Sequence, residues 1–173
     1  MDNTSLETKL KSLNLKHNPI FTKKDHVKYV QDWRGQYKGD AAAILKPTNT
    51  KEVSRILKLA NDNKIGVVPQ GGNTSLCGAA TPDKSGTSIV ISFEKMNKVR
   101  QFNKGSQTIT VESGVILSQI HDVVEKENLF FPLSLGAQGS CMIGGNLSTN
   151  AGGVNVLKYG MKNFQNLVNM KLV

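Results

Sequence analysis

Apolar positions recur at near-helical spacing from Ser5 to Leu15, through Leu6, Leu10, Leu13 and Leu15, and this predicts an N-terminal helix. A second helix is expected from Thr22 to Val30, opened by Thr22 three residues before Asp25. "DWRGQYKGD" breaks the pattern with two glycines around Trp33, Arg34 and Tyr37, and reads as a loop with anchoring aromatics. "AAAILKP", Ala41 to Pro47, is short, apolar and ended by proline, as a buried strand would be. The clearest helix follows in "TNTKEVSRILKLANDNK", with Asn49 as cap, Glu52 three residues on, and Val53, Ile56, Leu57 and Ala60 along one face. "IGVVP" is then another short buried strand. Strand, helix and strand at this spacing make a βαβ unit, which implies a parallel pair with a right-handed crossover.

The second half changes character. "TSIVIS" (Thr87 to Ser92), "KVRQF" and "QTITVES" (Gln107 to Ser113) are separated by "EKMN" and "NKGS" turns, as in an antiparallel meander. "GVILSQIHDVVEKEN" is an amphipathic helix with Ile116, Ile120, Val123 and Val124 inward. A long loop, "FFPLSLGAQGSCMIGGNLSTNAGG", follows, and "NLVNMKLV" reads as a closing strand. The class is α+β, a small parallel βαβ subdomain followed by a larger mixed or antiparallel sheet with helices. The expected boundaries are an N-terminal helical arm over 1–36 and a binding domain over 37–173, with 41–92 its first subdomain and 93–173 the start of its second.

Composition narrows the class. The chain has 173 residues, 38% apolar and 20% charged, enough for one domain with a real core. The net charge of +9 would attract an anionic partner such as nucleic acid, a phosphorylated small molecule or a membrane face, and the bland alternative is a solvated basic surface. The basic residues are scattered, form no block of five, and do not interleave with aromatics, so nucleic-acid binding is not expected. Cys77 and Cys141 sit in no C-x-x-C and beside no histidine at ligand spacing, so no metal site is expected. The polar N-terminus has no apolar signal core, and no stretch approaches 18 apolar residues. A soluble, reduced, cytoplasmic protein without stable membrane insertion is the expectation.

The 16 glycines cluster in two loops. "PQGGNTSLCG" fails the Walker pattern, since Ala79 stands where a lysine is needed after Gly78. It also fails the Rossmann fingerprint, because it runs into Pro82 rather than a helix. What remains is a backbone nest in which Gly71 and Gly72 can take positive φ, with Asn73, Thr74 and Ser75 as short donors. The bland alternative is a Gly-Asn turn. The second loop carries Gly136, Gly139, Gly144, Gly145, Gly152 and Gly153 among serines, threonines and asparagines. A long loop without secondary structure is uncommon unless it binds something. Together the loops could hold one extended anionic ligand, and they are poor in acid-base groups.

"PQGGNTSLCG", "VESGVILSQI" and "PLSLGAQGSCMIGGNLSTNAGG" followed by "LKYG" resemble the flavin-binding half of FAD-linked oxidases and dehydrogenases of the vanillyl-alcohol oxidase/p-cresol methylhydroxylase (PCMH) type. "DWRGQYKG" and the two loops are most similar to the D-2-hydroxyglutarate and D-lactate dehydrogenase branch, which is glycolate oxidase-like; the resemblance spans roughly positions 30 to 173. It implies FAD, with Pro69, Gln70, Gly71, Gly72, Asn73, Thr74, Ser75 and Leu76 around the pyrophosphate. It implies Pro132, Leu133, Gly136, Gly139, Ser140 and Cys141 toward the isoalloxazine and ribityl side. Gly144, Gly145, Asn146, Thr149, Asn150 and Gly153 would complete the contacts.

Where covalent members carry a histidine after the paired glycines, this chain has Asn73, so a covalent link there is not expected. The family continues into a substrate domain with a histidine base and carboxylate-binding arginines, for which this sequence offers no counterpart, and no catalytic residue is assigned. The expected function is the FAD-holding portion of an oxidoreductase acting on a D-2-hydroxy acid, its substrate domain absent from this sequence or carried by a separate chain. The alternative is a truncated module with weak or no flavin binding and no activity of its own. His17 and His26 read as solvated, His121 as a surface or core histidine, and Asp122, Glu125 and Glu127 as a helix surface. Arg34 could reach a phosphate or serve structurally beside Trp33. Cys77 and Cys141 are explained by close backbone approach of a ligand rather than by thiol chemistry.

Overall fold

The computed structural model describes residues 3–159 and 171–172. Two compact units form, Met1–Lys95 and Met96–Val173.

The first unit is a three-stranded parallel sheet covered on both faces. Helix α1 (Asn3–Ser12) and helix α2 (Lys23–Val30) precede strand β1 (Ala43–Leu45), helix α3 (Thr50–Asp62), strand β2 (Val67–Gln70) and strand β3 (Ile89–Ser92). The sheet order is β1-β3-β2, with β3 parallel to both neighbours. The period of two along each strand divides the core. Ala43, Leu45, Ile89 and Ile91 pack with Leu6 and Leu10 of α1 and Ile56 and Ala60 of α3. Ile44 and Val90 face the other way, against Tyr29 of α2 and Ala41.

This arrangement corrects two expectations. "TSIVIS" is not the first strand of a meander; it supplies β3, the centre of the parallel sheet. All four residues of β3 are buried, which is what an unbroken apolar run wants and what only a strand covered on both faces offers. β1 and β2 are therefore not a direct pair. β2 is a half-buried edge rather than a buried strand, and its Pro69 sits where no donor is needed.

Local signals fare better. Asn49 caps α3, its Oδ1 accepting from Glu52 N at 3.0 Å, and Ile56 and Ala60 are buried. Leu57 is exposed rather than inward, and Leu59 packs in its place. Thr22 stands at the N-cap of α2 but makes no side-chain cap bond. His26 is buried, not solvated: its ring lies under α2 with Nε2 2.9 Å from Ile20 O. His17 is half-buried.

Glu52 is 5% exposed, and its carboxylate accepts from Lys16 N (2.9 Å), Thr48 N (2.7 Å) and Thr48 Oγ1 (3.1 Å). Burial pushes this carboxyl up, but the donated N–H groups of Lys16 and Thr48, the Thr48 hydroxyl and the Arg55 charge outweigh it and hold the pKa below its ordinary value. A carboxyl lowered on folding stabilises fully above its unfolded pKa, about 4.3, and the contribution is lost as pH falls through the folded value. Urea midpoints followed from neutral pH to acid should therefore fall less steeply in Glu52→Gln than in the parent. Parallel curves would contradict this assignment.

The second unit is built on a hairpin of strand β4 (Val99–Asn103) and strand β5 (Thr108–Val111), antiparallel as the pattern predicts. Strand β6 (Lys171–Leu172) lies parallel to β5; the rest of "NLVNMKLV" falls outside the described residues. The register shifts between Val99 and Gln101, at Arg100. Arg100 donates through Nε (3.1 Å) and Nη2 (2.6 Å) to Glu112, which is 2% exposed and also accepts from Lys98 N. Helix α4 (Leu117–Glu125) buries Leu117, Ile120 and Val124. Ile116 instead forms its N-cap and bridges to Met142. The core joins these to Ile109, Val111, Phe131, Leu133, Cys141 and Ile143.

The long glycine-rich loop is not without structure. Ile143–Ser148 is helix α5 and Val156–Tyr159 is helix α6. Two adjacent glycines argue against a helix on propensity alone, but tertiary bonds supply what propensity lacks.

Candidate functional site

In the first unit, the glycine-rich loop leaves β2 with its ends fastened. Gln70 is 2% exposed and its Nε2 donates to Tyr29 O (2.8 Å) and Ala80 O (2.7 Å), so its side chain is committed to the protein. The left-handed turn falls on Asn73, at φ 54°, and not on Gly71 or Gly72. Asparagine tolerates this region, so the two glycines are not spent on the turn. Asn73 Nδ2 donates to Gln31 O at 2.8 Å and, more weakly, to Lys28 O at 3.4 Å. Arg34 resolves toward a structural role: it donates through Nη2 to Leu76 O, pairs with Asp32 at 3.8 Å and lies over the Trp33 ring. Among the described residues, the backbone N–H groups of Gly71 through Leu76 find no protein acceptor.

Gly78 takes φ 70°, and a Cβ there would meet the Tyr37 ring at 2.6 Å, which explains that glycine by packing. Pro69, Leu76 and Cys77 are exposed, and Thr74 and Ser75 half-buried. The Ser75 hydroxyl, 3.2 Å from Cys77 Sγ, and then the Ala79 N–H hold the Cys77 thiol below its ordinary pKa.

In the second unit, three backbone bonds dock the segment 141–144 along 113–117: Leu117 N to Cys141 O (3.1 Å), Ile143 N to Val115 O (2.9 Å) and Gly144 N to Ser113 O (2.9 Å). The carbonyls of the preceding stretch are occupied too. Pro132 O accepts from Asn155 Nδ2, Leu133 O from His121 Nε2 at 2.8 Å, and Ser134 O from Val154 N. His121 is thus a half-buried pin for Leu133, its ring tilted against Phe131. Leu133, Cys141 and Asn146 are buried, with Asn146 Nδ2 3.4 Å from Cys141 Sγ, so their side chains serve the core. Gly136, Gly139, Ser140, Gly145, Thr149 and Asn150 are exposed, and Asn150 is left-handed at φ 50°.

The glycines of this segment divide sharply. A Cβ on Gly144 would meet Ser113 Cβ at 2.7 Å and Ser113 O at 2.9 Å. On Gly153, at φ 65°, it would meet Ser134 O at 2.1 Å. These two are demanded by packing. Gly136, Gly139 and Gly145 have none of that burden: among the described residues, a Cβ on any of them would meet nothing within 4 Å, and none has positive φ. Nothing in the described packing needs them to be glycine. Ser113, whose side chain and carbonyl forbid a side chain at 144, is a participant that sequence reasoning missed. Its place in "VESG", directly after an alternating strand, was the available signal.

The donor set is backbone N–H, amide and hydroxyl, with no lysine or acid in either loop, and it suits an anion that is held rather than transformed. Among the described residues, no group of three or more His, Cys, Asp or Glu could hold a metal, and no helix is long and apolar enough to cross a membrane. Asp122 and Glu125 are exposed, and Glu127 pairs with Lys104 at 3.1 Å.

Comparison with known proteins adds to this geometry. A family model described as "FAD binding domain" matches residues 41–173. A D-2-hydroxyglutarate-pyruvate transhydrogenase of Saccharomyces cerevisiae is 45% identical over 130 residues, covering 75% of this chain and 26% of its own. A D-2-hydroxyglutarate dehydrogenase of Xanthomonas citri pv. viticola is 36% identical over 156 residues, covering 90% of this chain and 32% of its own. This chain therefore spans between a quarter and a third of these curated relatives. Among solved structures, an alkyldihydroxyacetonephosphate synthase superposes with a TM-score of 0.79 at 22% identity, over 91% of this chain and 31% of that one.

Proposed function

This chain belongs to the FAD binding domain family, and from that premise we propose that it is the flavin-holding portion of an oxidoreductase acting on a D-2-hydroxy acid such as D-2-hydroxyglutarate or D-lactate. The observation that carries the reading is the set of glycines the described packing does not need, Gly136, Gly139 and Gly145. Bare backbone at such positions lets a ligand approach where a side chain would stand. The N–H run from Gly71 to Leu76, without an acceptor among the described residues, supports it, as six donors without lysine suit a diphosphate that is bound but not transferred.

FAD, when bound, supplies the hydride acceptor for oxidation of the hydroxy acid. The chain's residues bind and orient. Gly71, Gly72, Asn73, Thr74, Ser75 and Leu76 would offer N–H groups to the pyrophosphate, with Pro69 and Gln70 fixing where they start. Gly136, Gly139 and Ser140 would lie against the flavin and ribityl side, on a backbone set by Pro132, Leu133 and Cys141. Gly145, Thr149 and Asn150 would contribute from α5 and its exit, held by Gly144, Asn146 and Gly153. Oxidising a hydroxy acid also needs a base for the hydroxyl proton and a cation for the carboxylate. Neither loop contains one, so these groups would come from a substrate domain, in the same polypeptide or in a separate chain.

The purified chain, incubated with FAD and desalted, should retain the flavin absorption bands, and should not oxidise D-lactate or D-2-hydroxyglutarate with an artificial acceptor. A colourless protein after loading would contradict the flavin reading and favour the second one, a module of this fold without flavin affinity. Turnover by the chain alone would contradict the division of labour.

A further inference from the structure

We propose that Asn73 is a positioning residue for the cofactor loop, and that α2, which lies ahead of the matched family region, is the anchor against which it works; the inference rests on the FAD reading above. A helix ends with four carbonyls that lack intrahelical partners, and in α2 they fall at its last turn and cap. Here the carbonyls from Lys28 to Gln31 are all taken from outside the helix. Val30 O accepts from Gly39 N at 2.8 Å. Tyr29 O accepts from the Gln70 amide, and Gln31 O and Lys28 O accept from the Asn73 amide. Three of the four are thus held by two side chains, Gln70 at the end of β2 and Asn73 in the glycine-rich loop.

The same side chain that closes the helix end sits at the loop's left-handed residue. Asn73 therefore fixes both the turn and its distance from α2. Arg34, just past α2, holds the far end of the loop at Leu76 O. Anchors at residues 70, 73 and 76 leave the N–H groups between them little freedom before any ligand arrives. A loop ordered in advance does not charge its ordering entropy to binding. By linkage, a ligand that stabilises this loop also stabilises the last turn of α2.

The test uses Asn73→Gly, which keeps the left-handed turn at no steric cost while removing the amide, and Asn73→Asp, which keeps the shape while replacing the donor by an acceptor. Hydrogen exchange of the chain without ligand should quicken about tenfold in both variants, in the last turn of α2 and at Gly39, whose N–H is bonded to Val30 O, as expected for a lost tie of about 1.4 kcal/mol. The dissociation constant for FAD should rise by a similar factor. Adding FAD should slow exchange in α2 of the parent and leave α2 of Asn73→Gly unchanged, a coupling that a purely structural residue would not show. Unchanged exchange in the variants, or an FAD affinity equal to the parent's, would overturn the proposal. If the parent fails to bind FAD, the flavin reading falls, and the ligand-free exchange alone decides the positioning claim.

Discussion

Gly39→Ala is expected to cost the first unit about 3 kcal/mol or more, the scale of a severe steric overlap in a packed site. The reason is a crossing of two backbones. A Cβ at 39 would sit 1.8 Å from Pro82 O and 2.6 Å from Asp83 O, and neither contact is with a flexible side-chain tip. The crossing cannot open easily, because Asp40 N donates to Asp83 O at 2.7 Å and Gly39 N donates to Val30 O at 2.8 Å. Moving the segment away would break both bonds and release one of the helix-end carbonyls of α2. Since a domain of this kind has a total stability of only about 5–15 kcal/mol, the variant should show a large drop in urea midpoint, or little folded protein. Gly105→Ala is the control: its Cβ would meet only Asn103 Oδ1 at 3.5 Å, and the midpoint should hardly move. A Gly39→Ala protein as stable as the control would show that the two backbones do not cross as described.

The second large effect separates neighbours. Gly144 and Gly145 lie side by side in α5, and replacing either by alanine gains about the same helix propensity, close to 1 kcal/mol. What differs is what the new Cβ meets. At 144 it meets Ser113 at 2.7 Å, so the propensity gain is overrun and the second unit should be destabilised by about 1–3 kcal/mol. At 145 it meets nothing, so the unit should be as stable as before or more so. If Gly145 is bare for the sake of a ligand, the stable variant is the one in which FAD binding suffers alone. A bulkier side chain, as in Gly145→Leu or Gly139→Leu, should deepen the loss to about a hundredfold in affinity with the melting temperature retained.

What was legible in the sequence followed the range of the forces involved. Asn49 and Glu52 are three residues apart, and their cap and apolar face could be read because the interactions are local. The β4–β5 hairpin was readable for the same reason. The order β1-β3-β2 was not, because insertion of β3 between two strands is decided by burial on both of its faces, which a single apolar run does not specify. Nor was the burial of His26, whose ring reaches a carbonyl of the Ile20 segment packed on β1. The glycine-rich loops were recognised by composition, but composition could not sort them. The turn expected of Gly71 and Gly72 is made by Asn73, and the stretch expected to be irregular holds α5. Which glycines are structural emerges only from the atoms a side chain would strike.

The most direct measurement is a titration of FAD, followed by flavin fluorescence, into the parent, Gly144→Ala, Gly145→Ala and Gly145→Leu, with thermal melts of each. The expected result is saturable binding by the parent, a lowered melting temperature in Gly144→Ala, and weakened binding in both Gly145 variants with melting temperatures at or above the parent's. Binding of FAD by Gly145→Leu as tightly as by the parent would contradict the claim that these bare positions form the cofactor's seat.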